Sequence, residues 1–521
     1  MRASGILLPI FSLPSPYGYG DMGEEAYKFI DKLAEGGQKY WQVLPIGPVN
    51  EEFCPYQSSS SFAGEPLLLS LQRLKEKGLL TEADLQTVQK AGLKGNDENV
   101  QFEEKKKALR SAFRSFRGGL EDDEPAKLHY KAFCKMEESW IDDYALFSAL
   151  SDYYGDGDWS KWDEDIRARK PDALAQWAVK LSYEVEFYRW MQYEFFNQWD
   201  GLKKYAHENG VEMIGDIPYY TAHDSADCWA NSELFQLDEN YRELFYAGAP
   251  PDAFTAEGQC WGNPVYDWDA HKEQGYRWCI DRIAQQLRFF DVVRIDHMRG
   301  FESYYVVPAE TKDPKEGHWE KGPDMELFDE IRKRLGDCRF IAEDLGYLTQ
   351  EVRDMMDKTG FPGMKVLQFA FDTSEENVYL PLNYDSDNAV VYTGTHDNDT
   401  TIGWYEKAED WKQKFVSWYL REKADFTSER KAQLFGEVTE GSESDEIMDA
   451  RTAVIGLVEL AHSSRCDMCI IPMQDYLLLG SEARVNIPGT PKGNWRWQMS
   501  AGAFTSDLAK AIQGITRRYN R

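Results

Sequence analysis

Short apolar runs that end in a polar residue or in glycine recur along the chain, and they constrain its fold more than any other feature. The runs cover residues 5–9, 40–44, 211–215, 291–295, 339–342, 365–369, 389–392 and 468–471. Helix-like segments separate most of them. Eight buried strands that alternate with helices favour a closed parallel barrel. The sequence therefore predicts an α/β fold, a (β/α)8 TIM barrel, that occupies residues 1–521 as a single domain.

Uneven spacing between the predicted strands indicates two large insertions. Residues 67–208, between the second and third strands, are mostly helical in pattern, and Thr81 and Asp84 within them have the spacing of a capping box. Residues 224–285, between the third and fourth strands, include a stretch rich in proline, glycine and aromatic residues. We expect this second insertion to be irregular and to lie over the mouth of the barrel.

The formal net charge of −31 narrows the class of ligand. Such a surface repels polyanions, which disfavours binding to nucleic acid or to an anionic membrane, whereas it does not penalise a neutral substrate. Aromatic residues make up 14% of the chain. Their faces stack well on sugar rings, although a large aromatic core explains the same content. The composition thus admits a neutral, carbohydrate-like ligand without identifying one.

Three features bear on the compartment. The apolar run at 6–10 is interrupted by Pro9 and no small-residue cleavage site follows, so we expect the first strand there and not a signal peptide. No run approaches the roughly 18 apolar residues of a transmembrane helix. The eight cysteines are too dispersed for a disulfide framework, which favours reduced thiols and a cytoplasmic protein.

Three local patterns suggest cofactor or metal sites but lack parts that such sites require. Residues 466–469 have CxxC spacing without a second CxxC or a histidine pair nearby, so a strand is favoured there. Residues 18–23 fit GxGxxG, yet no acid follows at the distance that a dinucleotide ribose requires. Asp156 and Asp158 resemble the start of a calcium loop, but Lys161 stands where that loop needs glycine. We therefore predict neither a cofactor nor a metal.

Four carboxylates stand where the predicted strands end, namely Asp216, Asp296, Glu343 and Asp397. In a (β/α)8 barrel the carboxyl ends of the strands form the active-site face. Acids from the third, fourth, fifth and seventh strands are therefore expected to converge on one cleft. The alternative is that they are ordinary loop acids, in a protein with 90 Asp and Glu residues.

Paired carboxyl groups are suited to breaking a glycosidic bond. One must be protonated to donate to the leaving oxygen, while the other must be ionised to attack the sugar carbon. Neighbouring acids separate their pKa values because like charges disfavour joint ionisation. Arg294 precedes Asp296 by two residues on the same face of a strand, where a cation favours an ionised Asp296 and leaves Glu343 as the proton carrier. His297 and His396 flank these acids, and a neutral imidazole can donate a hydrogen bond to a sugar hydroxyl.

Three of these segments carry a family resemblance. Val293-Arg-Ile-Asp-His297, Ala342-Glu-Asp-Leu-Gly346 and Gly394-Thr-His-Asp-Asn398 resemble the catalytic motifs of the 4-α-glucanotransferases, also called amylomaltases or disproportionating enzymes, of the α-amylase-like clan. Further matches run almost end to end, at 15–21, 54–58, 215–218, 258–264, 486–489 and 493–495. Any one motif is weak, but all of them in order are specific.

The resemblance implies a role for each matching residue. Asp296 stands at the position of the nucleophile, Glu343 at the acid/base, and Asp397 at the third acid, which holds sugar hydroxyls. Positions that contact, flank or cover the sugar are occupied by Tyr56, Asp216, Trp261, Arg294, His297 and His396. Cys260 departs from the family pattern, in which a larger polar residue precedes the covering tryptophan.

The resemblance also implies a function. We expect a glycosyltransferase that moves α-1,4-glucan segments to the 4-hydroxyl of an acceptor with retention, with maltooligosaccharides or amylose as donor and acceptor and glucose as a further acceptor. No nucleic acid, membrane or cofactor takes part. The chain stops soon after its eighth predicted strand and helix, so the C-terminal β-sandwich usual in α-amylases is expected to be absent. Two alternatives share these features: an α-glucan hydrolase of the same clan, and a non-catalytic glucan-binding protein.

Overall fold

Parallel strands form the centre of the structure, a computed structural model that describes residues 2–93, 98–120, 123–251, 256–346, 348–372, 374–424, 447–490 and 492–521. The strands in chain order are β1 (Ala3–Leu7), β2 (Tyr40–Gln42), β3 (Glu212–Ile217), β4 (Phe245–Ala249), β5 (Gln259–Pro264), β6 (Val292–Ile295), β7 (Ser303–Pro308), β8 (His318–Lys321), β9 (Phe340–Ala342), β10 (Gly363–Val366), β11 (Ala389–Tyr392) and β12 (Met468–Pro472).

Eight of these strands form one parallel sheet, in the order β10–β11–β12–β1–β2–β3–β6–β9. Among these eight strands, neighbours in the sheet therefore follow one another along the chain, apart from the pair β12 and β1. At the two outer strands, the amide of Ala342 in β9 donates to the carbonyl of Pro362, just before β10, at 2.9 Å. This is the (β/α)8 barrel that the sequence predicts, and each of the eight apolar runs overlaps one of its strands.

The sixth predicted strand differs from the structure in its extent. The apolar run covers 365–369, but β10 ends at Val366 and residues Leu367–Phe369 form one turn of 3-10 helix. A short apolar run does not distinguish a strand from a helical turn. The turn points the Gln368 side chain toward the loop after β11, where its amide donates to the carbonyl of Asp399 at 2.9 Å.

Helices surround the barrel and fill the long gaps between its strands. They are α1 (Glu24–Glu35), α2 (Leu71–Glu76), α3 (Glu82–Leu93), α4 (Glu98–Leu120), α5 (Glu124–Met136), α6 (Ile141–Tyr154), α7 (Glu164–Arg167), α8 (Pro171–Lys180), α9 (Ser182–Glu208), α10 (Ala226–Ala230), α11 (Trp268–Glu273), α12 (Arg277–Phe289), α13 (Asp324–Leu335), α14 (Gln350–Thr359), α15 (Thr401–Lys407), α16 (Asp410–Glu422), α17 (Ala450–Ser463), α18 (Met473–Tyr476) and α19 (Ser506–Arg518). Over the described part of the chain, none of these helices has the length and apolarity needed to cross a membrane.

The helices α2 to α9 lie between β2 and β3. The predicted capping box is present at the start of α3, because the amide of Thr81 donates to Asp84 at 2.8 Å and the amide of Asp84 donates to the Thr81 hydroxyl at 3.3 Å. The long helix α9 packs against α6 on one side and against β3 on the other. We propose that residues 67–208 are an insertion within the barrel domain and not a separate domain, since α9 at the end of this segment packs on the barrel strand β3.

A second sheet lies in the segment predicted to be irregular and beyond it. Strands β4 and β5 pair antiparallel within residues 224–285, and β4 also pairs with β7, which pairs with β8. Residue 285 itself falls inside α12, whose apolar side faces β3 and β6. The sequence did not indicate β4 and β5 because glycine and proline interrupt the alternation of apolar and polar residues in them. The other two strands, β7 and β8, follow the fourth barrel strand, and pairing of distant segments leaves no local signal.

Polar side chains occupy part of the barrel interior. The Tyr392 hydroxyl of β11 donates to the Gln42 side chain of β2 at 3.0 Å, and both residues are buried. Buried polar groups are stable only when hydrogen-bonded. This hydrogen bond therefore joins two strands that are not neighbours in the sheet.

The outer face of β3 imposes a packing constraint that can be tested at Gly215. A Cβ atom added there lies 2.0 Å from the ring of Phe290, a buried residue that follows α12. We expect Gly215→Ala to lower the free energy of unfolding by roughly 1–3 kcal/mol, as overpacking does. Urea denaturation measures the change.

Gly118→Ala in α4 is the matched control, because a Cβ there meets no atom of the described residues within 4 Å. Removing a helical glycine should stabilise the chain by about 0.5–1 kcal/mol. Equal denaturation midpoints for the two variants would contradict the close approach of β3 and Phe290.

Candidate active site

The four carboxylates singled out from the sequence lie at the carboxyl ends of barrel strands. Asp216 is the penultimate residue of β3, Asp296 follows β6, Glu343 follows β9, and Asp397 is in the loop after β11. Parallel pairing sets Asp216 of β3 beside Arg294 of β6. The register of the barrel thus brings together residues that are far apart in the sequence.

Arg294 connects two of the acids. Its Nη1 lies 2.7 Å from Asp216 Oδ2 and 3.0 Å from Asp296 Oδ1, and its side chain is 5% exposed. Burial disfavours the guanidinium charge, but Asp216 and Asp296 outweigh it and raise the pKa of Arg294 well above its usual value. A fixed positive charge is therefore held against the Asp296 carboxyl.

Glu343 lies in surroundings that favour its protonated form. Burial raises its pKa to about 7; Arg294 opposes this shift and Asp296 adds to it. The backbone amides of His297 and Leu345 donate to its two carboxyl oxygens, each at 2.8 Å. Glu343 is thus held by two backbone donors, and a carboxyl group with this pKa can carry a proton near neutral pH.

His297 lies between these two acids in the left-handed backbone conformation, with φ of 47°. Such a conformation is strained for a residue with a side chain, and it directs the amide of His297 to Glu343. Burial lowers the pKa of the imidazole to about 4, so the ring is neutral. Its Nε2 is buried without a hydrogen-bond partner among the described residues. A sugar hydroxyl can supply that missing partner.

Tyr56 connects the β3 side of the site with the loop after β11. Its hydroxyl donates to Asp216 Oδ2 at 2.9 Å, and its ring stacks on His396 at 5.2 Å between centroids. The ring of Trp495 lies 5.8 Å from Tyr56 and 6.0 Å from His396. These three rings therefore form one contiguous cluster beside Asp216.

Asp397 lies on the rim and is held by its loop. Its side chain is 48% exposed, and Oδ1 lies 3.3 Å from His396 Nε2 and 2.6 Å from the donating amide of Asn486. Asp397 is therefore the most accessible of the four acids, at a point where a sugar hydroxyl can reach it.

A buried carboxylate fixes both ends of the loop that carries His396 and Asp397. Asp475 accepts hydrogen bonds from the hydroxyl of Thr393 at 2.5 Å, the hydroxyl of Thr401 at 2.6 Å, and the amide of Thr401 at 2.8 Å. These two threonines stand on either side of the loop. Its position therefore depends on one side chain from the segment that follows β12.

Trp261 reaches the site from the antiparallel sheet. Its ring on β5 lies edge-on to the His297 imidazole at 5.1 Å between centroids, and its indole donates to the Gln259 side chain at 2.9 Å. The neighbouring Cys260 is exposed. The structure thus brings the residues expected to cover or contact a sugar together with the acids.

Three residues of this arrangement were not assigned to the site from the sequence: Trp495, Asn486 and Asp475. The first two lie in segments that match the family, so the resemblance could have identified them. Asp475 carries no such signal. Elsewhere in the described ranges, one group of three potential metal ligands lies outside the site, at Asp158, His223 and Asp224.

Comparison with known proteins agrees with this geometry. The sequence profile of a family described as 4-alpha-glucanotransferase matches residues 8–504. The chain is 41% identical to a 4-alpha-glucanotransferase of Clostridium butyricum, covering 98% of this chain and 99% of the relative, and 42% identical to one of Synechocystis, covering 100% and 98%.

A solved structure shares the whole architecture. The amylomaltase from Streptococcus agalactiae in complex with acarbose superposes with a TM-score of 0.90 at 34% identity, and the match covers 100% of both chains. Matches of this extent in sequence and structure show the family. The chain belongs to the 4-alpha-glucanotransferase family.

Proposed function

We propose that this barrel transfers α-1,4-glucan segments to the 4-hydroxyl of an acceptor by double displacement with retention. The observation that carries the proposal is the electrostatic contrast within one cleft. Glu343 has a pKa of about 7, whereas Asp296 is paired with the buried Arg294. A carboxyl group that can be protonated near neutral pH, beside a carboxylate paired with a cation, is what an acid and a nucleophile require.

The first half of the reaction uses both groups together. Glu343 donates its proton to the bridging oxygen, and the Asp296 carboxylate attacks the anomeric carbon, so that the glycosidic bond breaks as the glucosyl–Asp296 ester forms. In the second half, Glu343 takes the proton of the acceptor 4-hydroxyl, whose oxygen displaces Asp296. Asp397 holds hydroxyls of the distorted ring from the rim.

The other site residues divide into two groups. Tyr56, His396, His297 and Trp261 present aromatic or imidazole groups to the cleft and hold or cover the glucan. The side chains of Asp216 and Arg294 are 0% and 5% exposed, so they offer a sugar little surface. We assign them mainly to positioning Asp296 and Tyr56.

The substrates follow from the same proposal. Maltooligosaccharides and amylose act as donors and acceptors, and glucose acts as an acceptor. The solved amylomaltase from Streptococcus agalactiae binds acarbose, and the rings of Tyr56 and Trp261 provide this chain with apolar faces for a comparable sugar chain. The charge of −31 does not oppose such neutral ligands.

We place the protein in the cytoplasm. All eight cysteines are free in the structure, and several of them are buried. Free thiols are typical of proteins in a reducing compartment.

Products from maltotriose separate transfer from hydrolysis. We expect glucose together with chains longer than maltotriose, because an acceptor glucan competes with water behind the aromatic cover. Chromatography of the products over time provides the measurement. Products no longer than maltotriose at all times would favour the hydrolase alternative.

Glu343→Gln is the control for that experiment. It should abolish turnover while glucan binding, measured by calorimetry, is retained. If turnover were unchanged in this variant, Glu343 would not be the acid/base. If wild-type binding occurs without any turnover, the non-catalytic alternative is favoured.

The pKa of Glu343 predicts the alkaline limb of the pH profile. The proton donor is protonated below about pH 7 and loses its proton above it, so kcat/KM for maltotriose should fall by about tenfold per pH unit on the alkaline side. Initial rates between pH 5 and pH 9 test this. His396→Gln is the control, and a limb that vanished in that variant would assign the ionisation to histidine instead.

Asp475 is predicted to act as a positioning residue. Asp475→Asn removes the charge that accepts three hydrogen bonds from Thr393 and Thr401, so the loop of Asp397 should shift and kcat/KM should fall by up to roughly 100-fold. Asp291→Asn is the matched control, because Asp291 accepts the amide of Met213 at 2.8 Å near the opposite end of the barrel. We expect Asp291→Asn to lose stability but to keep its kcat/KM. An equal fall of kcat/KM in both variants would show that Asp475 has only a structural role.

A further inference from the structure

A histidine and two aspartates meet outside the catalytic centre. His223 and Asp224 belong to the segment after β3, and Asp158 belongs to the turn after α6 in the helical insertion. Each residue offers one nitrogen or oxygen atom, and these three atoms lie within 4.8 Å of one another. His223 Nδ1 is 3.1 Å from Asp224 Oδ1 and 4.0 Å from Asp158 Oδ1.

The histidine is oriented for ligation through Nδ1. Its Nε2 lies 2.9 Å from the carbonyl of Tyr241, which can only accept, so Nε2 carries the proton. A metal-bound histidine almost always donates its other ring N–H in this way. The ring also stacks on Trp159 at 5.1 Å and 11°, and the Trp159 indole donates to the His223 carbonyl at 2.8 Å. The Nδ1 atom is therefore held toward the two carboxylates.

The distances suit a small tetrahedral ion. Zinc lies about 2.0–2.2 Å from nitrogen and carboxylate oxygen, which places neighbouring ligand atoms roughly 3.4 Å apart. Two of the three separations, 3.1 and 4.0 Å from His223 Nδ1, bracket that value, and the third, between the two aspartates, is within 4.8 Å. Calcium favours six to eight oxygen ligands, so a site with an imidazole is better suited to zinc.

The two carboxylates remain accessible to an ion. The side chain of Asp224 is 55% exposed and that of Asp158 is 25% exposed. Asp158 Oδ1 faces His223 and accepts hydrogen bonds from the amide of Ser160 at 3.1 Å and from its hydroxyl at 2.5 Å, so an ion takes the place of that hydroxyl. Lys161 lies 3.0 Å from Asp158 and contacts Oδ2. Its side chain is 63% exposed, so it can swing away at little cost.

We propose that Asp158, His223 and Asp224 bind one divalent transition-metal ion of the zinc type. The ion links the helical insertion to the loop after β3. Gly157 and Asp224 also line a cavity of about 770 Å3 between the 48–53 loop and the helices α4 and α6. The metal therefore fixes one edge of that cavity, independently of the glucan chemistry.

Titration of the EDTA-treated full chain with Co2+ and Zn2+ tests the proposal. We expect uptake of one ion per chain, with the visible absorption of tetrahedral Co2+ and without the intense thiolate charge-transfer band that cysteine ligands produce. Zn2+ should raise the unfolding temperature, because it binds the folded chain.

Two variants that each change a proposed ligand, and one control variant, test the assignment of the ligands. Asp224→Asn alters a half-exposed side chain and should leave the fold intact, whereas His223→Gln removes the nitrogen ligand. Each should weaken binding by more than the roughly 10-fold that loss of a ligand's hydrogen-bond partner costs. His318→Gln is the matched control, since His318 lies 3.4 Å from Glu320 on β8 and the described part of the chain places no third ligand beside them. This variant should bind as the wild type does.

Two results overturn the proposal. One is no uptake at metal concentrations up to about 1 mM, which leaves the cluster as an imidazolium paired with two carboxylates. The other is uptake that Asp224→Asn and His223→Gln do not weaken, which places the metal elsewhere. If His223→Gln does not fold, Asp224→Asn alone decides between the outcomes.

Discussion

The buried guanidinium of Arg294 is the interaction on which the site depends. A charge removed from water costs several kcal/mol unless it is paired and hydrogen-bonded, and breaking such a pair from one side costs about 3–5 kcal/mol. Arg294 meets this requirement through Asp216, its neighbour in the barrel register, and through Asp296. The barrel can therefore keep a cation in its interior only while both carboxylates are in place, which makes the geometry of the site a condition of the fold.

The two neighbouring acids, Asp296 and Glu343, differ in their surroundings. Asp296 contacts the Arg294 guanidinium directly, whereas Glu343 accepts two backbone amides and burial is the main cause of its raised pKa. His297 connects the two because its strained backbone directs an amide to Glu343 while its ring reaches Trp261. A few contacts thus give two chemically similar carboxyl groups different surroundings within one site.

Local patterns were sufficient to predict the barrel and its acids. Each barrel strand is a short apolar run, and the acids follow directly in Asp296 and Glu343, so periodicity and strand ends were enough. Features formed by distant segments could not be predicted. The pairing of β4 with β7 joins segments separated by a barrel strand, and Asp475 acquires its role only because β12 lies next to β11. The 3-10 turn at Leu367–Phe369 shows the limit of short apolar runs.

The pairing of β1 with β12 has a consequence for synthesis of the protein. Residues 3–7 bond to residues 468–472, so one edge of β1 has no partner until the segment 8–472 has been made. An open strand edge is a template for pairing with other chains, and contacts of long sequence separation form slowly. Nascent chains therefore expose this edge to intermolecular association while residues 8–467 are made, and a chaperone that binds near β1 protects it during that interval.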